Sequence, residues 1–238
     1  MDLGEVKDED MHKGFLYYPV VGLIIGLIDM VVYLLVCQIL PEIYGIIFAL
    51  LANFFVTGAF HLDGLSDTAD GIYSARTRER MLEIMKDSRI GTNGGIAMCF
   101  DIMLKVVGLA CCDMRWLMIL MMPVAGKMVQ GAIVYKAVYP RKTGIGIYVG
   151  TVSLGTVIGT VILGLIAMTV AFSWWGILMY AVLFALAYLF RVYITGKIGG
   201  ITGDVMGAGS ELAEIFLLIL VLIITRFAGF PVGLYGIW

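Results

Sequence analysis

Three aspartates, Asp63, Asp67 and Asp70, recur at i, i+4 and i+7 within His61-Leu-Asp-Gly-Leu-Ser-Asp-Thr-Ala-Asp-Gly71. That spacing puts three carboxylates on one face of a helix. Like charges so placed repel one another, and a hard divalent cation with oxygen ligands removes the conflict, so the pattern predicts a Mg²⁺ site. A solvated acidic helix face is the plainer alternative. Downstream, Arg76, Arg78, Arg80, Lys86 and Arg89 offer charge-assisted donors to phosphate oxygens, with Asp87 among them. Gly91-Thr-Asn-Gly-Gly95, with Asn93 at its centre, offers backbone N–H groups to an anion at a helix start, although a plain loop has the same composition. Carboxylates for a metal, guanidinium groups for phosphate and a glycine turn together suggest phosphoryl transfer.

A second acidic set comprises Asp204, in Gly203-Asp-Val-Met-Gly-Ala-Gly209, and then Glu211 and Glu214. Acids favour helix N-termini, which accounts for one glutamate as a dipole partner. Glu214, turned inward, is a candidate metal ligand or base. Asp101 and Lys105 stand i, i+4 in an apolar stretch and can pair with each other. Lys105 lies roughly 15 Å beyond Gly95, and Lys127 roughly 12 Å before Tyr135, at 1.5 Å per helical residue. Two lysines at matched depth beneath the aspartates are candidates to hold a substrate diphosphate. Asp29 has no evident partner.

The elements that must carry these groups are membrane helices. Of the 238 residues, 61% are hydrophobic and 14% charged, against about 25% charged in a soluble domain. Runs of about 20 apolar residues span a bilayer, and seven are expected near 15–40, 43–61, 95–112, 115–135, 150–172, 174–194 and 211–228. The expected fold is an all-α polytopic bundle forming a single membrane domain, with residues 61–95 as a motif-bearing loop. No alternating pattern argues for a barrel. Gly22/Gly26 and Gly155/Gly159 are small-xxx-small pairs suited to close packing, and Trp174–Trp175 is expected at an interface. Seven spans put Lys7, Lys13, Arg76, Arg78, Arg80, Lys86, Arg89, Lys136, Arg141, Lys142, Arg191 and Lys197 on one side and only Arg115 and Arg226 on the other, so the basic side is expected to be cytoplasmic. The net charge of −2 gives no reason to expect a nucleic-acid partner. Cys37, Cys99, Cys111 and Cys112 lack metal or disulfide spacing and are expected as small buried hydrophobes. The acidic first residues are the opposite of a basic leader.

The motif from His61 to Gly71, Met85-Lys-Asp-Ser-Arg-Ile-Gly-Thr-Asn-Gly94, and Thr202-Gly-Asp204 with Glu211-Leu-Ala-Glu214 resemble the cobalamin synthase (adenosylcobinamide-GDP ribazoletransferase) family. The similarity takes in Gly144-Ile-Gly146 and the lysine of the third span. The stretch before the first span is shorter than the family's usual one, which bears on N-terminal membrane contacts alone. The resemblance implies a Mg²⁺-dependent inner-membrane enzyme. It would join the corrinoid nucleotide adenosylcobinamide-GDP to α-ribazole, or to α-ribazole 5′-phosphate, and release GMP. On that reading Asp63, Asp67, Asp70 and Glu214 hold metal. Asp70 is the first choice of base, His61, Lys105 and Lys127 assist, and Arg76, Lys86, Arg89 and Asn93 meet phosphate. A corrinoid is bulky, so the cavity is expected to open broadly above Asp63–Asp70, roofed by 76–95 and 195–210. Oligomeric state is left open. Two other readings compete. Asp67-Thr-Ala-Asp-Gly71 with Ala75-Arg76 resembles half the signature of CDP-alcohol phosphotransferases, but three residues rather than two separate Gly71 from Ala75. A transporter with Asp29, Asp101, Lys105 and Lys127 along a midplane path is the third.

Overall fold

The structure, a computed structural model, describes residues 13–141 and 150–228. Every regular element among them is helical. After a 3₁₀ turn at Phe15–Tyr17 come α1 (Tyr18–Cys37), α2 (Glu42–Thr57), α3 (Phe60–Ser74), α4 (Arg78–Ile84), α5 (Thr92–Ala110), α6 (Arg115–Ile133), α7 (Leu154–Phe172), α8 (Trp174–Ile198) and α9 (Gly203–Ala228). The stretch Phe15–Cys37 and helices α5 to α9 are long and apolar enough to cross a membrane. The second expected span is the exception. Gly58 and Ala59 both take left-handed backbone, ending α2 after 16 residues, and α3 leaves at 86° to it. At 1.5 Å per residue α2 rises only about 24 Å, so the bent pair is one broken span or a re-entrant element. The segment read as a loop over 61–95 is therefore mostly α3, α4 and the first turn of α5.

Two helices form the centre. Most of α6 and α9 is buried, whereas the flanking helices bury little and keep their outward leucines, isoleucines and valines exposed. Such faces suit lipid rather than water. Proline at the first turn of α1 costs no hydrogen bond, and Ser153 caps α7 by accepting from the Thr156 N–H at 3.1 Å. Gly22 and Gly26 let α1 lie against the α6 backbone, where a Cβ would strike the Pro123 and Leu120 carbonyls. The second glycine pair does not act in this way, since Gly159 meets only the Leu16 side chain. Trp174 and Trp175 stack at 3.9 Å where α7 turns into α8. Of the four free cysteines only Cys112 is buried; Cys99 and Cys111 are exposed and Cys37 is intermediate.

The bundle has two distinct ends. At one, Glu42 accepts from Tyr33 at 2.6 Å and from Arg115 at 2.9 Å. At the other lie α3, α4, the start of α5, Arg141 and the start of α9, tied by contacts given below. All the motif residues that the structure describes gather at that second end or run inward from it.

Candidate active site

Helix α3 is held to α9 by glycines. A Cβ on Gly64 would strike the Asp204 backbone, and one on Gly207 the backbone of Phe60 and His61. This close approach sets Asp63 and Asp67 beside Asp204. Asp63 is exposed and Asp67 half-buried, and Asp67 lies within electrostatic reach of Asp63, Asp204, Asp70 and Arg141. Arg141 donates to Asp204 Oδ2 at 2.6 Å and reaches the Met85 carbonyl at 3.5 Å, joining α9 to the end of the α4 segment. Thr202 Oγ1 also donates to Asp204 Oδ2, at 3.3 Å. In the sequence Arg141 stands out only as one positive charge among many. Its position in Pro140-Arg141, just ahead of Gly144-Ile-Gly146, was the available signal, and residues 142–149 lie outside the described residues.

Asp70 does something else. Its Oδ2 accepts from the Gly91 N–H at 2.7 Å and its Oδ1 from the Gly94 N–H at 2.9 Å. The carboxylate caps α5, and glycine is required at 91 and 94 because a Cβ there would run into it. Two expectations change together. Within Gly91-Thr-Asn-Gly-Gly95, the Gly91 and Gly94 N–H groups that were to meet an outside anion meet Asp70 instead, and the Gly95 N–H donates to the Gly91 carbonyl at 3.0 Å. Asp70, with both oxygens accepting, is poorly placed as a free base. Among the described residues no three His, Cys, Asp or Glu side chains stand close enough to hold a metal ion together. The three-aspartate face is thus divided between a capping Asp70 and an open Asp63–Asp67 pair. Mg²⁺ is commonly held by one or two carboxylates, its remaining positions going to water and substrate phosphate, so that pair fits the ion.

The phosphate-binding candidates are spread along the same end. Arg76 and Lys86 are exposed. Arg89 is tied to Asp87 by hydrogen bonds of 2.5–3.2 Å, and these hold the Asp87 carboxyl down to about 2. Asn93 donates to Ser74 Oγ at 2.9 Å, bracing α3 against α5. Arg78 lies against Gly199, so α4 reaches over to the α8–α9 turn. Beside α3 runs an apolar groove of about 280 Å³, lined by Thr68, Ala69, Tyr73, Phe190, Tyr193 and Leu212 among others. It lies on the flank of the motif helix, whereas the expected cavity was a broad one above it.

The buried lysine is the clearest correction. Lys105 lies fully inside the bundle and pairs with Glu211, with Glu214 at 2.9 Å and with Asp101 at 3.2 Å. Three carboxylates leave it no free direction for a diphosphate. Glu211 and Glu214 occupy this site because α9 begins at Gly203, some eight residues earlier than expected. They sit roughly 12–16 Å along the helix rather than at its N-terminus, and so neither compensates its dipole. Paired in this way, Glu214 is also removed from the Asp63–Asp67 metal set. Lys127 is half-buried, bonded to His61 Nε2 at 3.0 Å and Gln130 Oε1 at 3.1 Å, below the α3–α9 seam. An ammonium only donates, so His61 accepts through Nε2. Asp29 has a partner after all: Asn53 donates to its Oδ2 at 2.7 Å.

Comparison with known proteins bears on what this arrangement serves. The model of the family described as cobalamin-5-phosphate synthase matches residues 1–222. The chain belongs to that family. It is 42% identical to the adenosylcobinamide-GDP ribazoletransferase of Clostridium novyi (strain NT) over 224 residues, 92% of this chain and 89% of that one. It is 38% identical to the enzyme of the same name from Alkaliphilus metalliredigens, over 92% of this chain and 88% of that one. A third relative with that name, from Clostridioides difficile, is 34% identical over 89% and 88% of the two chains. No solved structure matches. In this chain, α3, α9 and the segment after α6 bring Asp63, Asp67, Asp204 and Arg141 to one end.

Proposed function

We propose that this chain transfers the cobinamide-phosphate moiety of adenosylcobinamide-GDP to α-ribazole, or to α-ribazole 5′-phosphate, and releases GMP. The convergence of Asp63 and Asp67 with Asp204–Arg141 at one end of the bundle carries the reading, in a chain whose relatives are ribazoletransferases along nearly their whole length. Asp63 and Asp67 would hold Mg²⁺, which when bound neutralises diphosphate charge. The chain's own residues do the rest. Arg76, Lys86 and Arg141 lie where charge-assisted bonds to phosphate oxygens form as charge builds on the leaving group. The ribazole hydroxyl oxygen bonds to the phosphorus that carries cobinamide. The bond from that phosphorus to the bridging oxygen breaks, and GMP leaves with the bridging oxygen. The hydroxyl proton passes to a carboxylate of the cluster. With Asp70 committed to Gly91 and Gly94, Asp204 takes that role through Oδ1, its Oδ2 being fixed by Arg141. Lys127 and His61 position this end from beneath, and the buried Lys105 cluster supports the fold.

The basic end faces the cytoplasm on this reading, because membrane proteins retain Lys and Arg there. The groove beside α3 favours one rival, since an apolar slot on the flank of the motif helix suits a lipid tail and hence a CDP-alcohol-type substrate. Purified protein in liposomes separates the two. GMP release that requires both adenosylcobinamide-GDP and α-ribazole, with no CMP from CDP-diacylglycerol, is the expected result. CMP release without a corrinoid would establish the rival.

A further inference from the structure

Inside the bundle, away from the Asp63–Asp67 end, lies a small cavity that the transfer reaction does not use. Its walls come from Asp29 of α1, Asn53 of α2, Glu214 of α9 and Ile119, Met122 and Pro123 of α6, closed by Ala49, Leu50 and Leu109. Its volume is about 10 Å³, room for one water-sized guest. Three independent features give it a chemical character. Asp29 is 3% exposed, and its Oδ1 has no hydrogen-bond partner although Oδ2 is held by Asn53. Pro123 stands inside α6 and has no N–H, so the Ile119 carbonyl one turn earlier lacks its helical partner. In a membrane interior neither oxygen can turn to bulk water. The third feature is charge. Asp29, Asp101, Glu211 and Glu214 gather around Lys105, with Lys127 in electrostatic reach, so buried carboxylates outnumber buried ammonium groups.

A water molecule has two protons to give and no net charge. It would satisfy two acceptors and leave the charge excess untouched. A cation answers both needs. Divalent ions require six or more oxygens, commonly with retained water, and a space for one guest has no room for that shell. Broken-helix carbonyls with nearby acidic groups are how membrane proteins hold monovalent cations near midplane. We infer that this cavity binds a single sodium-sized monovalent cation between Asp29, the Ile119 carbonyl and Glu214, locking α1, α2, α6 and α9 together. The ion is structural: it stands apart from the reacting groups and does not depend on the assignment of the reaction.

The test is direct binding of ²²Na⁺ to the purified full-length chain in detergent, displaced by unlabelled Na⁺ and not by choline. About one displaceable Na⁺ per chain is expected. Asp29→Asn should abolish it. Pro123→Ala, a change that favours helix and restores an N–H to Ile119, should raise the half-saturating Na⁺ concentration at least tenfold while the protein remains monodisperse. Absence of displaceable Na⁺ on the natural chain would overturn the inference and assign the cavity to water or a proton. Binding unchanged in Pro123→Ala would overturn it as well, because the ion would then lie elsewhere.

Discussion

Asp70 accepts two backbone N–H groups, and asparagine at this position would turn one of its oxygens into a donor facing a donor. Leaving a buried N–H without a partner costs about 1–3 kcal/mol, so Asp70→Asn should lower the unfolding temperature measurably in detergent. An unchanged melting curve would contradict the capping role. Arg141→Gln acts differently. It frees Asp204 Oδ2 from Arg141 and removes a cation beside Asp67, so GMP release should fall about 100- to 1000-fold, the order expected for losing one positioned electrostatic group. Activity within twofold of the natural chain would place Arg141 outside the site. The Asp87–Arg89 pair is a control for charge at this end. The folded-state value of Asp87 is depressed to about 2, so what the pair contributes is present above the ordinary value of 3.8 and disappears as pH falls through 2. Both groups are solvent-exposed, so the pair should leave no mark on activity between pH 6 and 8. An NMR titration of Asp87 should show a midpoint near 2 that returns toward 3.8 in Arg89→Gln. A midpoint that stays near 2 would assign the shift to another neighbour.

Helices α3, α5 and α9 make the site through glycine contacts, and those contacts are where single substitutions should matter. Gly94→Ala would drive a Cβ into Asp70 and Ser66, and the strain of overpacking, about 1–3 kcal/mol, should loosen the start of α5. Faster amide exchange at residues 91–95 than in the natural chain is the expected result; unchanged protection would mean that the helices adjust freely. The same elements show what the sequence could and could not reveal. The apolar runs of α1 and α5 to α8 were legible because spanning a bilayer demands a length of hydrophobic chain that few other structures need. The start of α9 was not, since Asp204 and the glycines at 203, 207 and 209 interrupt any apolar run there, and close packing on α3 accompanies their helicity. Nor did hydropathy show the break at Gly58–Ala59, which depends on backbone twist. The partners of buried charges were hidden most deeply. Asp29 meets Asn53 24 positions away, Asp70 meets Gly91 at 21, and Lys105 meets Glu211 at 106. The i, i+4 spacing made Asp101–Lys105 visible, whereas the two glutamates that complete the cluster come from another helix.

At the scale of the whole molecule, chemistry and support occupy different depths. The open carboxylates and Arg141 lie at one end, and the Lys105 cluster and Asp29 lie inside. The basic residues of α4 and its flanks share the end that carries the open carboxylates, and Arg115 marks the opposite one. Single cysteines placed at 80 and 113 in a chain whose native cysteines are replaced should therefore be labelled from opposite sides: position 113 from outside intact cells, position 80 only after permeabilisation. Labelling of position 80 from outside would reverse the orientation. One assay separates catalysis at the open carboxylates from support of the fold. GMP release from adenosylcobinamide-GDP and α-ribazole, with Mg²⁺ present, is measured in liposomes for the natural chain, Asp67→Asn and Asp63→Asn. Each variant should elute and melt like the natural chain, because Asp63 is exposed and Asp67 only half-buried, yet lose turnover about a thousandfold. Either variant turning over within threefold of the natural chain would contradict the claim that the reaction takes place between α3 and α9 at the polar end of the bundle.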